Sequence, residues 1–380
     1  NEPCPSQPTL ETNPIQAVTE AGTDSSSATF TGEIINIPIG VNCETISITN
    51  QGFVYATHTQ PTIDDIVHNV TGQNISFIVS GLSVETVYYV RTYLTNPLGT
   101  FYGNEIVFET PQPENPVYLD DNGVTIKAKE WAEVGMSGEI NGVNYIVTDE
   151  ETLRNLIAST SGGLDLSVFC TSKIEDLSSL FIYAADVMVY QADLSSWDVS
   201  NVTNMYGLFN SRPFNQDISS WDVSSVTNMN YMFMSTPFMG DISSWDVSSV
   251  TNMNYMFYEC PIGNNGPGVG DIGSWDVSNV TEMASIFAHS GFNHNISSWD
   301  VSSVTVMSGV FVDNEYFNQD ISSWDVSNVT DMTFMFLQAV QFNQDLSSWN
   351  VSNVTTCYSF SNDTPQWTLP QPNFTNCNPD

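Results

Sequence analysis

Phe214-Asn215-Gln216-Asp217-Ile218-Ser219-Ser220-Trp221-Asp222-Val223-Ser224-Ser225-Val226-Thr227-Asn228-Met229-Asn230-Tyr231-Met232-Phe233 is the fullest copy of a unit that recurs through the second half of the chain. Tryptophan falls at 197, 221, 245, 275, 299, 324 and 349, in steps of 24, 24, 30, 24, 25 and 25 residues. Self-similarity at such a period signals a repeat array. The longest step accommodates Gly263-Asn264-Asn265-Gly266-Pro267-Gly268, whose turn-forming composition reads as a surface loop.

Within the unit, Ile218, Trp221, Val223 and Val226 have the apolar spacing of a leucine-rich strand segment, with side chains alternating inward. Thr227 is placed to cap a short helix, whose inner face Met229, Met232 and Phe233 supply at i, i+3 and i+4. Phe214, Phe238, Phe292, Phe317 and Phe342 fall at the closing turn as a spine. The reading is an α/β leucine-rich-like solenoid over 175–362, about 34 Å long at one strand spacing per coil. The Trp-Asp pair does not indicate a WD propeller, whose blades are far longer.

Upstream, residues 15–110 carry short Val, Ile, Thr, Tyr and Phe segments between turn-formers, such as Thr29-Phe30-Thr31-Gly32 and Gly52-Phe53-Val54-Tyr55. This predicts an all-β sandwich. Pro111-Gln112-Pro113-Glu114-Asn115-Pro116 reads as a linker (111–116). Residues 117–174 read as a small α+β cap for the first coil: strands at Val124-Thr125-Ile126-Lys127-Ala128 and Val143-Asn144-Tyr145-Ile146-Val147, then a helix opening at Thr148-Asp149-Glu150-Glu151. Residues 363–380 would close the other end, with Trp367, Pro370, Cys357 and Cys377 as the sealing set.

Two resemblances follow from these residues. The Asn-Gln-Asp-Ile-Ser-Ser-Trp-Asp-Val-Ser unit resembles the bacterial surface-protein repeat of BspA-like, leucine-rich-repeat-related proteins. The stretch Gly81-Leu82-Ser83-Val84-Glu85-Thr86-Val87-Tyr88-Tyr89-Val90-Arg91-Thr92-Tyr93 resembles the fibronectin type III pattern, with Tyr88 as a tyrosine corner. The first implies a secreted or surface-anchored adhesion or interaction protein. The second implies a spacer module.

Charge narrows the partners. Six Lys+Arg against 43 Asp+Glu give a net charge of -37. Such a field repels nucleic acid and anionic membrane surfaces. No apolar run is long enough for a membrane span, and no secretory leader opens the chain, which begins Asn1-Glu2-Pro3 and reads as processed or as a fragment of a larger surface protein. Only 13% charged residues among abundant Ser, Thr and Asn suits extracellular material. Six cysteines allow fifteen pairings. Cys4 with Cys43, and Cys357 with Cys377, would each close a loop within one segment.

The repeats also define ladders. Asp198, Asp222, Asp246, Asp276, Asp300, Asp325 and Asn350 lie between inward residues and so face outward, flanked by hydroxyls such as Ser220 and Ser224. This is the candidate ligand face, for an extracellular protein or polysaccharide. Asp193, Asp217, Asp241, Asp271, Asn295, Asp320 and Asp345 form a second ladder. Those carboxylates read as acceptors for turn amides, with calcium at Asp217, Asp241, Asp271, Asp320 and Asp345 as the alternative. Neighbouring carboxylates one strand spacing apart repel by about 0.9 kcal/mol even in water. Residues 177–380 hold one basic residue, Arg212, against 20 acidic ones to offset this. A threonine ladder, from Thr203 and Thr227 to Thr355, is explained by helix capping rather than ice binding.

Catalysis finds no support. His58, His68, His289 and His294 are scattered, and no nucleophile elbow, HExxH pair or phosphate loop occurs. No cofactor is called for. The sequence therefore reads as a non-enzymatic adhesin or interaction protein, the alternative being a spacer or stalk module.

Overall fold

The computed structural model describes residues 7–19, 25–36, 46–112, 114–160, 163–262 and 270–380. Cys4, Cys43 and the loop at 263–268 lie outside them. The chain divides into two compact units, Asn1–Asn115 and Pro116–Asp380.

The first unit is built of β1 (Thr9–Thr12), β2 (Ala17–Thr19), β3 (Ser25–Asn36), β4 (Asn50–Ala56), β5 (Ile66–Asn69), β6 (Asn74–Ser83), β7 (Val87–Asn96), β8 (Gly99–Tyr102) and β9 (Ile106–Glu109). The long β3 organises one sheet. Its two halves pair with β2 and β1 on one side, and β6 runs along the other. The second sheet has the order β5-β4-β7-β8, with β9 also on β7. The two-residue alternation of β3 and β6 turns Ala28, Phe30, Ile75 and Val79 inward, against Phe53, Tyr55, Tyr88, Val90 and Phe108 of the other sheet. Phe30 meets Phe53 edge-on at 5.8 Å. The Tyr88 hydroxyl accepts from the Ser83 amide at 3.1 Å, tying the β6–β7 corner.

The second unit opens with two hairpins, β10 (Val117–Leu119) with β11 (Ile126–Ala128), and β12 (Ser137–Ile140) with β13 (Val143–Val147). Asn141 and Gly142, at φ 53° and 85°, make the tight turn of the second. Helix α1 (Glu150–Ser159) starts where the Asp149 side chain accepts from the Thr152 amide, and it buries Leu153 and Ile157. Strand β14 (Phe169–Cys170) then joins β13 in parallel. A short α2 (Asp186–Gln191) completes the irregular part.

From there the expected α/β leucine-rich-like solenoid is not what forms. Beyond Gln191 the described residues contain no α-helix and no strand, only single parallel bridges and a 3-10 turn at Ile272–Ser274. The reason lies in where the amides go. Those of Met229, Tyr231 and Phe233 donate to Asn252, Asn254 and Met256 of the following repeat at 3.0, 2.9 and 3.0 Å, not to carbonyls four residues back. Tyr231 sits at φ 61°, which a right-handed helix does not admit. Nor is Ile218–Val226 a strand. Trp221 closes a turn on Ile218 and Val226 another on Val223, at 3.1 and 2.9 Å. Thr227 caps no helix; its amide and hydroxyl both donate to the Thr203 carbonyl of the preceding repeat.

One apolar core nevertheless runs through the repeats. Ile218, Trp221, Val223, Val226, Met229, Met232 and Phe233 are buried, as are their counterparts. Phe214 and Phe238 stack at 6.1 Å, and Phe317 and Phe342 at 5.9 Å. Leu153, Ile157, Leu166 and Phe169 join this core at its start. At its end Trp367 packs on Phe342, 4.7 Å between rings, and Cys357 is disulfide-bonded to Cys377. No helix among the described residues is long and apolar enough to cross a membrane.

Candidate functional site

The ladders owe their form to a short local device. In Asp222-Val223-Ser224 the backbone turns, and the Asp222 carboxylate folds back so that Oδ1 accepts from the Ser224 amide at 3.1 Å. The same bond recurs at Asp246 to Ser248, Asp276 to Ser278, Asp300 to Ser302 and Asp325 to Ser327, each 3.0 Å. Asn350 accepts from Ser352 at 3.2 Å. All of these acceptors are exposed. Asp198 is the exception, only 4% exposed. Its Oδ2 takes the Ser172 hydroxyl and its Oδ1 the Ser200 amide, so it belongs to the packing of the first repeat and not to the outer face.

The second ladder uses the same device. Asp193, Asp217, Asp241, Asn295, Asp320 and Asp345 accept from serine amides two residues on, and Asp271 from the Gly273 amide, at 2.9 to 3.1 Å. Among the described residues no three His, Cys, Asp or Glu side chains gather as a metal group, so Asp217, Asp241, Asp271, Asp320 and Asp345 stand as separate turn acceptors. The Ser219 and Ser243 amides hold the Asp217 and Asp241 carboxyls below the usual carboxylate range. Hydrogen bonds from Ser248, Ser278, Ser322, Ser327 and Ser347 do the same for Asp246, Asp276, Asp320, Asp325 and Asp345.

The candidate hydroxyls are also engaged. Ser220 Oγ donates to the Ser195 carbonyl of the preceding repeat at 2.9 Å, and Ser224 Oγ to Asp222 Oδ1 at 2.6 Å. What Asp222, Asp246, Asp276, Asp300 and Asp325 offer a partner is therefore the second oxygen of each carboxylate. In Asp222, Asp246, Asp276, Asp300 and Asp325 the hydrogen bonds from the chain fall on Oδ1.

Two further columns escape a reading based on apolar spacing. Asp176, Asn204, Asn228, Asn252 and Asp331 sit on the bridge positions and accept from amides two residues on at 2.6 to 3.1 Å. The recurrent Thr-Asn-Met triplet is the signal for them. A second column takes the left-handed conformation in every repeat: Gly207, Tyr231, Tyr255, Ser285, Gly309, Phe334 and Ser359. Tyr206, Tyr231, Tyr255 and Tyr258 form a row of ring contacts there. Only glycine at 207 and 309 hints at this column in sequence.

The histidines do not converge. His58 pairs with Asp65 at 2.9 Å, His68 stacks between Tyr55 and Phe77, His289 pairs with Asp313 at 3.0 Å and His294 lies against Phe292.

No curated protein and no solved structure matches the chain. A family model described as "Mycoplasma protein of unknown function, DUF285" matches residues 152–269 and again 263–369, together more than half of the chain. The match replaces both resemblances read from the sequence, since it is neither a BspA-like leucine-rich family nor a fibronectin type III family. The two matched copies meet in the insertion between the repeats of Trp245 and Trp275, and they cover the ladders just described. The chain is thus a member of the DUF285 family.

Proposed function

We propose that this chain is a binding module, secreted or displayed at a cell surface, that engages an extracellular protein or polysaccharide through the ladder Asp222, Asp246, Asp276, Asp300 and Asp325. One observation carries the reading: each of these five aspartates is exposed and has its carboxylate oriented by a serine amide on Oδ1, in five successive repeats. Orientation before binding lowers the entropy lost when a partner docks. The net charge of -37 disfavours nucleic acid and anionic membranes as partners. The Cys357–Cys377 disulfide suits an oxidising compartment. The role is recognition without catalysis, either alone or within a larger surface protein.

A second reading, a spacer or stalk, is favoured by the same serine amides, which account for every ladder carboxylate without a partner. The test is binding of the purified chain to a panel of polysaccharides and extracellular proteins, with calcium and with chelator, at two salt concentrations. Binding lost in Asp222→Asn, Asp246→Asn, Asp276→Asn and Asp300→Asn combined, with an unchanged melting midpoint, supports recognition. Silence across the panel supports the spacer.

A further inference from the structure

A second surface of the repeats interleaves aromatic rings with carboxylates. Tyr255 and Tyr258 lie 5.7 Å apart with their planes at 55°, and Tyr258 meets the His289 ring at 5.0 Å and 63°. His289 Nδ1 contacts Asp313 Oδ2 at 3.0 Å. Tyr231 extends the row, stacked on Tyr255 at 4.8 Å. Burial, and then the charge of Glu259 ahead of Tyr255 and Asp313, push the Tyr258 phenol up.

The backbone there is unfavourable for the residues it carries. Tyr255, Glu259, His289 and Asp313 have φ of 57°, 52°, 52° and 49°, in the left-handed region where a Cβ crowds the following carbonyl. Gly309 stands in the Tyr255 column and meets the same turn without that crowding.

The chemistry selects the partner. Ring faces and carboxylates both attract a cation, and a cation within about 6 Å of a tyrosine centroid is held by the ring quadrupole. The chain's own group here is His289, whose ring meets Tyr258 and whose Nδ1 contacts Asp313 Oδ2. The one lysine or arginine of 177–380, Arg212, is committed to the carbonyls of Ile182 and Ala184 and to Asp186. A neutral glycan would leave Glu259, whose Oε2 accepts from the Ser235 hydroxyl at 2.7 Å, without a cation, and an anionic partner would be repelled. We propose that this surface docks a lysine- or arginine-bearing segment of a partner protein, with a cationic head group against the Tyr258 ring and its charge met by Glu259 and Asp313. The site does not rest on the aspartate ladder.

The test uses the full chain and a fluorescently labelled nona-arginine peptide, read by anisotropy, with polyglutamate as the control. Tyr258→Leu should weaken binding about tenfold, whereas Tyr258→Phe, which keeps the ring, should stay within about twofold. Glu259→Gln with Asp313→Asn should weaken binding and flatten its salt dependence without requiring any ring to be removed. The Tyr258→Leu effect should persist in the background of the four ladder substitutions, which separates this site from the ladder. Equal affinity for the Leu and Phe variants would overturn the proposal. So would peptide binding that vanishes with the ladder substitutions alone, or a wild-type chain that does not bind the peptide.

Discussion

The indole Nε1 of Trp221 donates a hydrogen bond to the carbonyl of Leu194 in the preceding repeat, 2.9 Å away. The same bond joins Trp245 to Ile218, Trp275 to Ile242, Trp299 to Ile272, Trp324 to Ile296 and Trp349 to Ile321, at 3.0 to 3.3 Å. The carbonyl that already accepts the turn amide of its own repeat's tryptophan thereby takes a second hydrogen bond, from a ring that also fills the core. Each repeat is anchored by the tryptophan of the next.

Replacing Trp299, 3% exposed, separates these two roles. Trp299→Phe keeps most of the apolar volume and removes the indole donor, while the Trp275 amide still donates to the Ile272 carbonyl, so the cost should be about 0.5–1.5 kcal/mol. Trp299→Ala adds a cavity and should cost about 3–5 kcal/mol. Urea denaturation of both variants gives the difference, and equal losses would show that the indole N–H contributes nothing.

Acid should destabilise the repeats. The carboxyls of Asp217, Asp241, Asp246, Asp276, Asp320, Asp325 and Asp345 titrate lower when folded than when unfolded. Their contribution is therefore fully present above the unfolded value, near pH 4, and is lost as pH falls through the folded values. Denaturation midpoints from pH 6 down to pH 2 should decline most steeply below about pH 4. Asp246→Asn, which retains an amide acceptor, should lessen the slope.

The terminal disulfide closes a loop of sequence separation 20. Its removal in a Cys357→Ser, Cys377→Ser chain should cost about 2–4 kcal/mol, seen as a lower melting midpoint. Cys170 and Cys260 are free and buried, and burial pushes the Cys260 thiol up to about 12. Both should resist a thiol reagent until the chain unfolds. Labelling at the native state would contradict that placement.

Gly309 has φ +65°, and a Cβ there would meet Ser285 Oγ at 2.7 Å. Gly309→Ala should therefore destabilise by about 1–2 kcal/mol. Gly309→Ala combined with Ser285→Gly should recover the steric part alone, a split that thermal melts of the two chains can resolve.

Much of this was legible beforehand for a simple reason. A period of 24 or 25 residues, marked by tryptophan, places each apolar residue in the same surroundings as its counterpart one repeat earlier. Burial of Ile218, Trp221, Val223, Val226, Met229, Met232 and Phe233 follows from that repetition and from the hydrophobic effect. The ladder positions are equally legible, since they are the polar residues that repeat in step.

Secondary structure of the repeats was not legible, because apolar spacing at i, i+3 and i+4 is shared by a helix and by a run of turns. The choice is made by the partner of each backbone amide. For Met229, Tyr231 and Phe233 that partner lies 23 residues onward in the next repeat, beyond any local rule. The use of each aspartate was hidden in the same way. Asp222 bonds within its own turn, yet Asp198, alike in sequence context, is buried against Ser172 because its neighbour is the irregular start of the second unit. Sequence alone determined the period, the core residues and the charge of this protein; tertiary structure decided the hydrogen-bond partners, because those depend on which repeat or segment lies alongside.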